Sequence, residues 1–467
     1  MARLDAHTSR RLPAPGGNES RKTLRSLLPH WAAAGIGLGA IVLGASGHAD
    51  TSGAYYESFG DFLRQTKFHG NLRSYYFSRT YTGEATNQYA YSLGGYAGLL
   101  TAPLYHFQAG LTLGAGNSLG LNPANPAAVD TTLPGGTVWV LTEAFLQYRH
   151  KYLTLRGPDQ ILDTPWINPS DSRIKPSAYR AFYGELTPFA DYAPLKGLSF
   201  VGLRVFEFNG RAEGSFSPTN LYFPGHAGGS PVSALYGKST PGALAFGLKY
   251  GSPGKPLTAQ LWYNKFIDFS QLLWFDGSFV HKTGTGFDPL FGFQFGSQWS
   301  DGNNLLAQVG RGAAGNIQIY GLLAGIDTPH VRLTASYNGI TRQNGAFGNG
   351  ALLSPYTTGY ATDYLYTTQM IGGMIETQSP GSAFKVAATS YLMDKQIKVL
   401  VSYGGYYIAP TSTFTANPYE TDVDVTYSFP KSSGLDGLSI RNRFGWQNGN
   451  IQRQDFFYNR LQIQYQF

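Results

Sequence analysis

Eight basic side chains lie beside apolar residues, in stretches where apolar and polar residues alternate. They are Arg73, Arg156, Arg204, Arg332, Lys398, Arg441, Arg443 and Arg460. A guanidinium presents a planar fork of donors that holds a carboxylate through two parallel hydrogen bonds. A set of arginines that all point to the same side would therefore suit the binding of carboxylates. Whether they point to the same side depends on the secondary structure that carries them.

The alternation is that of β-strands. It is strict from Arg460 to Phe467, and it recurs in segments 330–341 and 437–447. Successive side chains of a strand point to opposite faces, so each of these segments has one apolar and one polar face. The basic residues fall on the polar face.

Two architectures produce this pattern. A soluble β-sandwich buries its apolar faces inside, whereas a membrane barrel turns them outward to lipid and its polar faces inward to a lumen. Strands of about 10 to 13 residues favour the barrel, because a tilted strand needs about 9 to 11 residues to cross a bilayer. The composition agrees, since aromatic residues make up 15% of the chain and charged residues only 13%.

The segmentation predicts an all-β, transmembrane antiparallel barrel of 18 strands. The predicted strands are 67–79, 88–100, 104–115, 137–149, 151–162, 178–190, 197–209, 243–251, 257–268, 287–299, 303–312, 316–326, 330–341, 382–393, 396–408, 419–430, 437–447 and 456–467. Connections after even strands are short, whereas several after odd strands are long: 116–136, 163–177, 210–242, 269–286 and 342–381. Short periplasmic turns and long extracellular loops are typical of outer-membrane barrels, and a sandwich has no reason to sort loop lengths in this way. Segment 366–377 could itself form a strand.

The N-terminus predicts an export signal. Six basic and two acidic residues lie in 1–49, and an uncharged run from Trp31 to Ala45 precedes small residues that end at Ala49. This run is too short for a transmembrane anchor and fits a cleaved secretory signal. We therefore divide the chain into a signal peptide 1–49, an N-terminal periplasmic lead 50–66 and a barrel 67–467.

Charge and cysteine content exclude several functions. The whole chain carries a net charge of +7, and removal of the signal leaves 7 − 4 = +3, without a basic run that would follow nucleic-acid phosphates. The chain has no cysteine, and its histidines lack the spacing of metal ligands. We expect no metal, no cofactor and no catalytic residues. An outer-membrane hydrolase with Ser and His at the barrel rim is the alternative.

Segment 160–184 resembles the OprD family of specific outer-membrane porins. It has the D-T-P turn Asp163–Pro165 and a D-x-R-x-x-P run from Asp171 to Pro176, followed by Tyr179. The ending in Phe467 resembles the terminal strand of bacterial outer-membrane proteins. The resemblance implies an 18-strand barrel in the outer membrane, and passive diffusion of small carboxylate-bearing solutes such as amino acids, peptides or aromatic acids.

The resemblance also implies that loop 163–177 folds into the lumen and narrows the pore. Its candidate residues are Asp163, Asp171, Ser172 and Arg173, of which Asp171 and Arg173 could pair across a turn. An ordinary external loop is the alternative.

In the family, a row of basic residues on the barrel wall faces this loop and guides substrates. The eight basic residues above are the candidates for the row, because a charge on the lipid face would cost ~2–4 kcal/mol and inward placement is therefore favoured. Arg441 and Arg443, two positions apart on one face, are the strongest candidates. Each could instead form a structural ion pair with Glu143, Glu185 or Asp163. The expected partners are solutes, outer-membrane lipid and, through Phe467, the barrel assembly machinery. The chain would be a monomer or a homotrimer.

Overall fold

The computed structural model describes residues 59–218, 238–251, 255–308, 312–354 and 364–467. The expected signal peptide 1–49 and residues 50–58 of the lead lie outside the described residues, as do parts of the connections 210–242 and 342–381. The lead is described from a short helix, α1 (Phe59–Arg64), onward.

Eighteen strands form one antiparallel sheet. They are β1 Lys67–Tyr81, β2 Gln88–Leu100, β3 Phe107–Asn117, β4 Val138–His150, β5 Leu153–Gln160, β6 Ala178–Leu186, β7 Ser199–Asn209, β8 Ala243–Tyr250, β9 Leu257–Phe266, β10 Ser270–Val280, β11 Asp288–Ser300, β12 Ile317–Asp327, β13 Val331–Ile340, β14 Gly381–Leu392, β15 Ile397–Ile408, β16 Phe414–Ser428, β17 Leu438–Asn450 and β18 Gln454–Gln466. Each strand pairs with its neighbours in sequence, and β1 also pairs with β18, so the sheet closes into a barrel. The predicted all-β, 18-stranded antiparallel barrel is confirmed.

Helices are few and short. Besides α1, the structure has α2 (Leu305–Gln308), α3 (Met374–Thr377) and the 3-10 turns Pro126–Ala128, Ala193–Leu195, Phe347–Asn349 and Lys431–Ser433. Within the described ranges, no helix has the length and apolar character needed to span a bilayer.

The two faces of the sheet differ as the alternation predicts. On β1, Arg73 and Phe77 point inward and are 1% and 0% exposed, whereas Leu72 and Tyr76 point outward and are 52% and 43% exposed. Similar exposed apolar side chains recur around the barrel. A lipid bilayer would cover this outer face.

The barrel closes at the last residue of the chain. The backbone amide of Phe467 donates to the Gly70 carbonyl at 3.0 Å, and the amide of Gly70 donates to the Phe467 carbonyl at the same distance. The Phe467 ring stacks on Phe68, with 5.1 Å between ring centroids. Phe467 is thus part of the seam between β1 and β18.

Two predicted elements between residues 269 and 312 are wrong. The segment expected as loop 269–286 contains β10, and the segment expected as strand 303–312 contains α2 within the connection 301–316. The inner face of β10 carries Leu272 and Trp274, both 0% exposed. Because the consecutive residues 272–275 of β10 are apolar, its alternation is hidden there. One strand was missed and one was predicted where a helix lies, so the predicted number of strands is still 18.

The connections at one end of the barrel are longer than those at the other end. The longest connections, 118–137, 161–177, 210–242, 301–316 and 341–380, all follow odd-numbered strands. The opposite end has shorter connections, of which 187–198 is the longest. Segment 366–377, left open by the sequence, forms no strand and includes α3.

The apolar core lies inside the barrel, mostly against β7–β15. Inward-facing side chains of these strands, such as Trp262 and Ile319, pack against Trp166 of connection 161–177 and against Leu353 and Leu365 of connection 341–380. The ring centroids of Trp166 and Trp274 are 5.0 Å apart in an edge-to-face contact. Much of the interior on this side is therefore filled by loops.

Candidate functional site

Connection 161–177, the constriction loop, lies inside the barrel against β1. Arg73 Nη2 donates to Asp171 Oδ2 at 2.7 Å, its Nη1 donates to Asp171 Oδ1, and Nη1 also reaches the Arg173 carbonyl at 2.8 Å. The Arg73 and Asp171 side chains are 1% and 3% exposed. The predicted pair of Asp171 with Arg173 is thus replaced by a bidentate pair with the wall.

Further contacts hold the constriction loop to β1 and to the end of β7. Arg173 lies over the Phe77 ring, with 5.1 Å between its guanidinium carbon and the ring centroid. Arg211 donates to Ser172 Oγ at 2.8 Å, and Lys175 Nζ donates to Asn209 Oδ1 at 2.6 Å. Burial lowers the pKa of Lys175 to about 7. Nearly all of the loop is buried, but Asp163 is exposed.

A neighbouring connection, 118–137, is fastened to the same wall. Asp130 is fully buried, and it accepts hydrogen bonds from Arg79 Nε at 2.8 Å and from the Tyr458 hydroxyl at 2.7 Å. Burial opposes ionisation of Asp130, yet Arg79 and Arg173 hold its pKa below the ordinary value. Buried ion pairs therefore attach two loops to the inner face of β1.

A polar pocket lies between the constriction loop and the wall formed by β17, β18 and β1. Ser172 lines it from the loop, and the wall contributes Tyr75, Phe77, Arg441, Arg443, Arg460 and Gln462. Three of the eight predicted basic residues are therefore brought together with one predicted loop residue. The register explains this, because Arg443 stands directly opposite Arg460, and Arg441 directly opposite Gln462.

One carboxylate stands behind these arginines. Asp424 on β16 binds Arg441, with Arg441 Nε 2.8 Å from Asp424 Oδ1, and Asp424 Oδ2 lies 3.4 Å from Arg443 Nε. Arg460 Nη2 donates to the Met370 carbonyl at 3.1 Å, and its guanidinium lies 4.0 Å from the centroid of the Tyr458 ring. Asp424 was not predicted as a site residue, although its inward parity on β16 is a signal that could have found it.

Connection 341–380 reaches the same wall through its backbone. The amides of three consecutive residues, Met370 to Gly372, donate to side chains of β16. Met370 N lies 2.9 Å from Asp422 Oδ2, while Ile371 N and Gly372 N lie 2.5 and 3.0 Å from the two oxygens of Glu420. We call residues 369–372 the second inward segment. It fixes the carbonyl that Arg460 binds.

Arg332 on β13 and Lys398 on β15 also point inward, although neither strand borders the wall of β17, β18 and β1. Arg332 pairs with Asp327 at 2.7 Å. The Lys398 side chain has no hydrogen bond or ion pair within the described part of the chain, and Lys398 stands in a cross-strand row with Thr426 and Arg441. Of the two cations, Arg332 is therefore the one that is paired with a carboxylate.

Arg156 lies on a distant part of the inner face. It donates to Gln160 Oε1 at 2.6 Å, and its guanidinium lies 5.3 Å from the ring centroids of Phe145 and Tyr183. The expected ionic partners Glu143 and Glu185 make other contacts, because Glu143 accepts from Thr112 and Glu185 pairs with Lys249.

The predicted inward orientation of Arg204 is wrong. Arg204 shares its parity on β7 with Phe200 and Phe206, which are 44% and 38% exposed, whereas Leu203 and Val205 point into the apolar core. Its guanidinium lies 4.6 Å from the Phe206 ring centroid. The barrel interior is apolar at this place, so the apolar residues of β7 face inward and Arg204 faces outward.

The described residues contain no group of three or more His, Asp or Glu side chains arranged to hold a metal. The polar groups that line the pocket are instead the guanidinium, hydroxyl and amide groups of arginine, serine, tyrosine and glutamine side chains. Such groups bind anionic oxygens by charge-assisted hydrogen bonds.

These features define a class: a closed β-barrel whose interior is narrowed by inward-folded loops and carries an arginine-rich pocket. Comparison with solved structures gives the particular fold. The barrel superimposes on Pseudomonas aeruginosa OpdK with vanillate, with a TM-score of 0.70, 15% identity and coverage of 87% of this chain and 99% of that one. For a BenF-like porin from Pseudomonas fluorescens Pf-5 the TM-score is 0.70 at 14% identity, with coverage of 87% and 99%.

A third similar structure is Pseudomonas aeruginosa OccK2 (OpdF) in complex with glucuronate, with a TM-score of 0.69, 12% identity and coverage of 87% and 99%. The chain thus has the 18-stranded fold of the OprD-family porins, and the resemblance carried by segment 160–184 is confirmed at the level of the fold. No family model matches the sequence, and no curated protein matches it.

Proposed function

We propose that this protein is a porin of the bacterial outer membrane that allows passive, selective diffusion of small carboxylate-bearing solutes. The pocket between Ser172 and the arginines of β17 and β18 carries the proposal. It presents guanidinium groups, and guanidinium forks bind carboxylates bidentately. Pore width and charged lining together determine which solutes a channel selects.

The solute path would follow the β15–β18 and β1 wall. The apolar core occupies much of the remaining interior, mostly against β7–β14 and the far end of β15 at Tyr406 and Ile408. Along the path, Lys398 and Arg441 would attract the carboxylate, and Arg443 and Arg460 would hold it beside Ser172. Phe77 and Tyr75 provide an apolar surface for the rest of the solute. Arg73 and Arg332, paired with Asp171 and Asp327, would shape the wall.

Export and membrane placement complete the proposal. Residues 1–49 would be removed, so N-terminal sequencing of the exported protein should begin at Asp50. The exposed apolar outer face would contact outer-membrane lipid, and the strand that ends in Phe467 would be recognised by the barrel assembly machinery. Solute passage through the lumen of each barrel is compatible with a monomer and with a homotrimer.

Planar bilayers provide the decisive test. The purified protein should produce discrete conductance steps, and its reversal potential in a salt gradient should indicate a preference for anions. Joint replacement Arg441→Ala with Arg443→Ala should move the reversal potential toward the value expected for a cation-selective channel. Arg204→Ala is the control, because it removes an arginine charge from the outer face instead of the lumen. An unchanged reversal potential in the double variant would contradict a conducting role for these arginines.

Swelling of liposomes would identify the solutes. Vesicles that contain the protein should swell faster in small carboxylates than in neutral solutes of equal size. Equal rates for charged and neutral solutes would show a non-selective channel. Absence of conductance, together with hydrolysis of a lipid or peptide ester, would favour the alternative hydrolase.

A further inference from the structure

Helix α1, which precedes the barrel, has one apolar and one polar side. At about 100° per residue, Phe59, Phe62 and Leu63 fall within one arc of roughly 100°. Asp61 and Arg64 lie on the opposite side of the helix. The rings of Phe59 and Phe62 stack, with 5.5 Å between their centroids. We call these three apolar side chains the α1 stripe.

The barrel does not bury the α1 stripe. No residue of α1 is buried, and Phe59 and Leu63 are 64% and 56% exposed. Apolar surface is stabilised when it is removed from water, and adjoining exposed apolar side chains often mark an interaction surface. The described part of the chain therefore leaves the α1 stripe open to a partner.

A short connection holds α1 close to the outer face of the barrel. Residues 65–66 join it to β1, and two residues span at most about 7 Å. Phe68, the second residue of β1, is 62% exposed on the outer face and stacks on Phe467. Leu99 of β2 stands directly opposite Phe68 and is 46% exposed. The α1 stripe is thus near the apolar surface that a bilayer would cover.

The two sides of α1 match the two sides of a membrane interface. Aromatic rings such as those of Phe68 and Phe467 are typical of the boundary between lipid and water. The Arg64 side chain is 83% exposed, and the exposed Lys67 follows it, so two cations can approach lipid phosphates. Asp61 lies 4.0 Å from Arg64 and offsets one of these charges. An apolar side next to acyl chains and a charged side next to headgroups define a helix that lies in the interface.

Resting on the proposed placement of the barrel in the outer membrane, we propose that α1 is an interfacial anchor. The helix lies along the membrane surface where β1 begins, with the α1 stripe in the boundary of the acyl chains. Its partner is the lipid of the leaflet at the end with the shorter connections, which is the periplasmic leaflet in the proposed orientation. The anchor fixes the N-terminal lead beside the seam between β1 and β18.

Site-directed spin labels can measure the depth of each side of α1, because no native cysteine competes for the label. The exported protein with Leu63→Cys or Asp61→Cys is labelled and reconstituted into vesicles of phosphatidylethanolamine and phosphatidylglycerol. Oxygen concentrates in lipid, whereas a nickel chelate stays in water. Oxygen should relax the label at position 63 more strongly than the chelate does, and the reverse should hold at position 61. Leu72→Cys on the outer face and Lys431→Cys on an exposed turn provide the lipid and water references.

Two results would overturn the anchor. A label at position 63 that matches the water reference would place the α1 stripe in solution. A label at position 63 that is shielded from both reagents would show that the α1 stripe packs against protein instead of lipid.

Variants test whether the α1 stripe holds the helix in place. Phe59→Ser with Leu63→Ser should increase the mobility of a label at Asp61→Cys severalfold, because the helix loses its apolar contact with lipid. Gln65→Ser changes a polar residue next to the helix and is the control, which should leave this mobility unchanged. Equal mobility with and without the double replacement would contradict a role for these apolar side chains.

The anchor and the porin proposal fail in different ways. Discrete conductance steps together with a water-exposed label at position 63 would contradict only the anchor. A lipid-exposed label in a protein that conducts no ions would contradict only the porin proposal.

Discussion

Arg73 on β1 binds the carboxylate of Asp171 with both arms of its guanidinium, and each side chain is almost completely buried inside the barrel. One residue belongs to the wall and the other to the constriction loop, so the pair fixes the loop to the wall. Removal of one member of a buried ion pair is far more costly than removal of both, since it leaves a buried charge without a partner.

Asp171→Asn should therefore loosen the constriction loop. We expect its docking to lose about 3–5 kcal/mol, with larger and noisier single-channel conductance. The double variant Arg73→Met with Asp171→Leu should be closer to the wild type, because it leaves no buried charge unpaired. Equal conductance noise in the wild type and Asp171→Asn would show that this pair does not hold the loop.

Glu420→Gln should release the second inward segment, residues 369–372. The variant loses one of two oxygens that accept the Ile371 and Gly372 amides, at a cost of about 1–3 kcal/mol. Amide hydrogen exchange of these residues should accelerate severalfold. Asp327→Asn, which breaks an ion pair elsewhere on the wall, is the control and should leave this exchange unchanged.

The constriction loop should be held more tightly at alkaline pH. The pKa of Lys175 is about 7 in the folded protein, against 10.5 for the free side chain, because burial disfavours its charge. Between these values the unfolded loop binds more protons than the folded loop, so stability rises with pH through this window. The gain is at most about 1.4 kcal/mol per pH unit.

A spin label can measure this effect, since the chain contains no cysteine. A label on Ser172→Cys should become less mobile between pH 7 and pH 10. Adding Lys175→Met should abolish most of that change. If the label keeps the same mobility across this range in the presence of Lys175, the titration of Lys175 does not control the loop.

Deletion of Phe467 should reduce assembly in the outer membrane severalfold, because both the closing seam and the terminal aromatic are lost. The heat-modifiable band in isolated outer membranes measures the assembled fraction. Phe68→Ala removes only the ring that stacks on Phe467. If this variant is as defective as the deletion, seam packing rather than recognition of the terminus explains the effect.

How much of the fold the sequence could predict depends on what each inner face contacts. On β18 and β13 the inner face is polar and the outer face apolar, so alternation predicts both strands closely. On β10 and β7 the inner faces pack against the apolar core. Apolar residues then occur on both faces of these strands. For this reason alternation did not reveal β10, and it predicted the wrong orientation for Arg204.

The candidate site was predictable to a similar degree. Parity alone places Arg441, Arg443 and Arg460 on the inner face, and segment 160–184 indicates the constriction loop. The inward-facing acids Glu420, Asp422 and Asp424 carry the same parity signal on β16 and were equally predictable. The contacts of the second inward segment come from backbone amides, which every non-proline residue has, so no residue pattern reveals them.

The apolar filling inside the barrel has a consequence for the evolution of this protein. The 18 strands determine the circumference of the barrel. The width of the open path inside it depends on how much of the interior the loops occupy. Changes to connections 161–177 or 341–380 would alter the size limit for solutes while every strand, and the surface that meets lipid, stays the same. The size limit for solutes and the surface that contacts lipid can thus evolve separately in one chain.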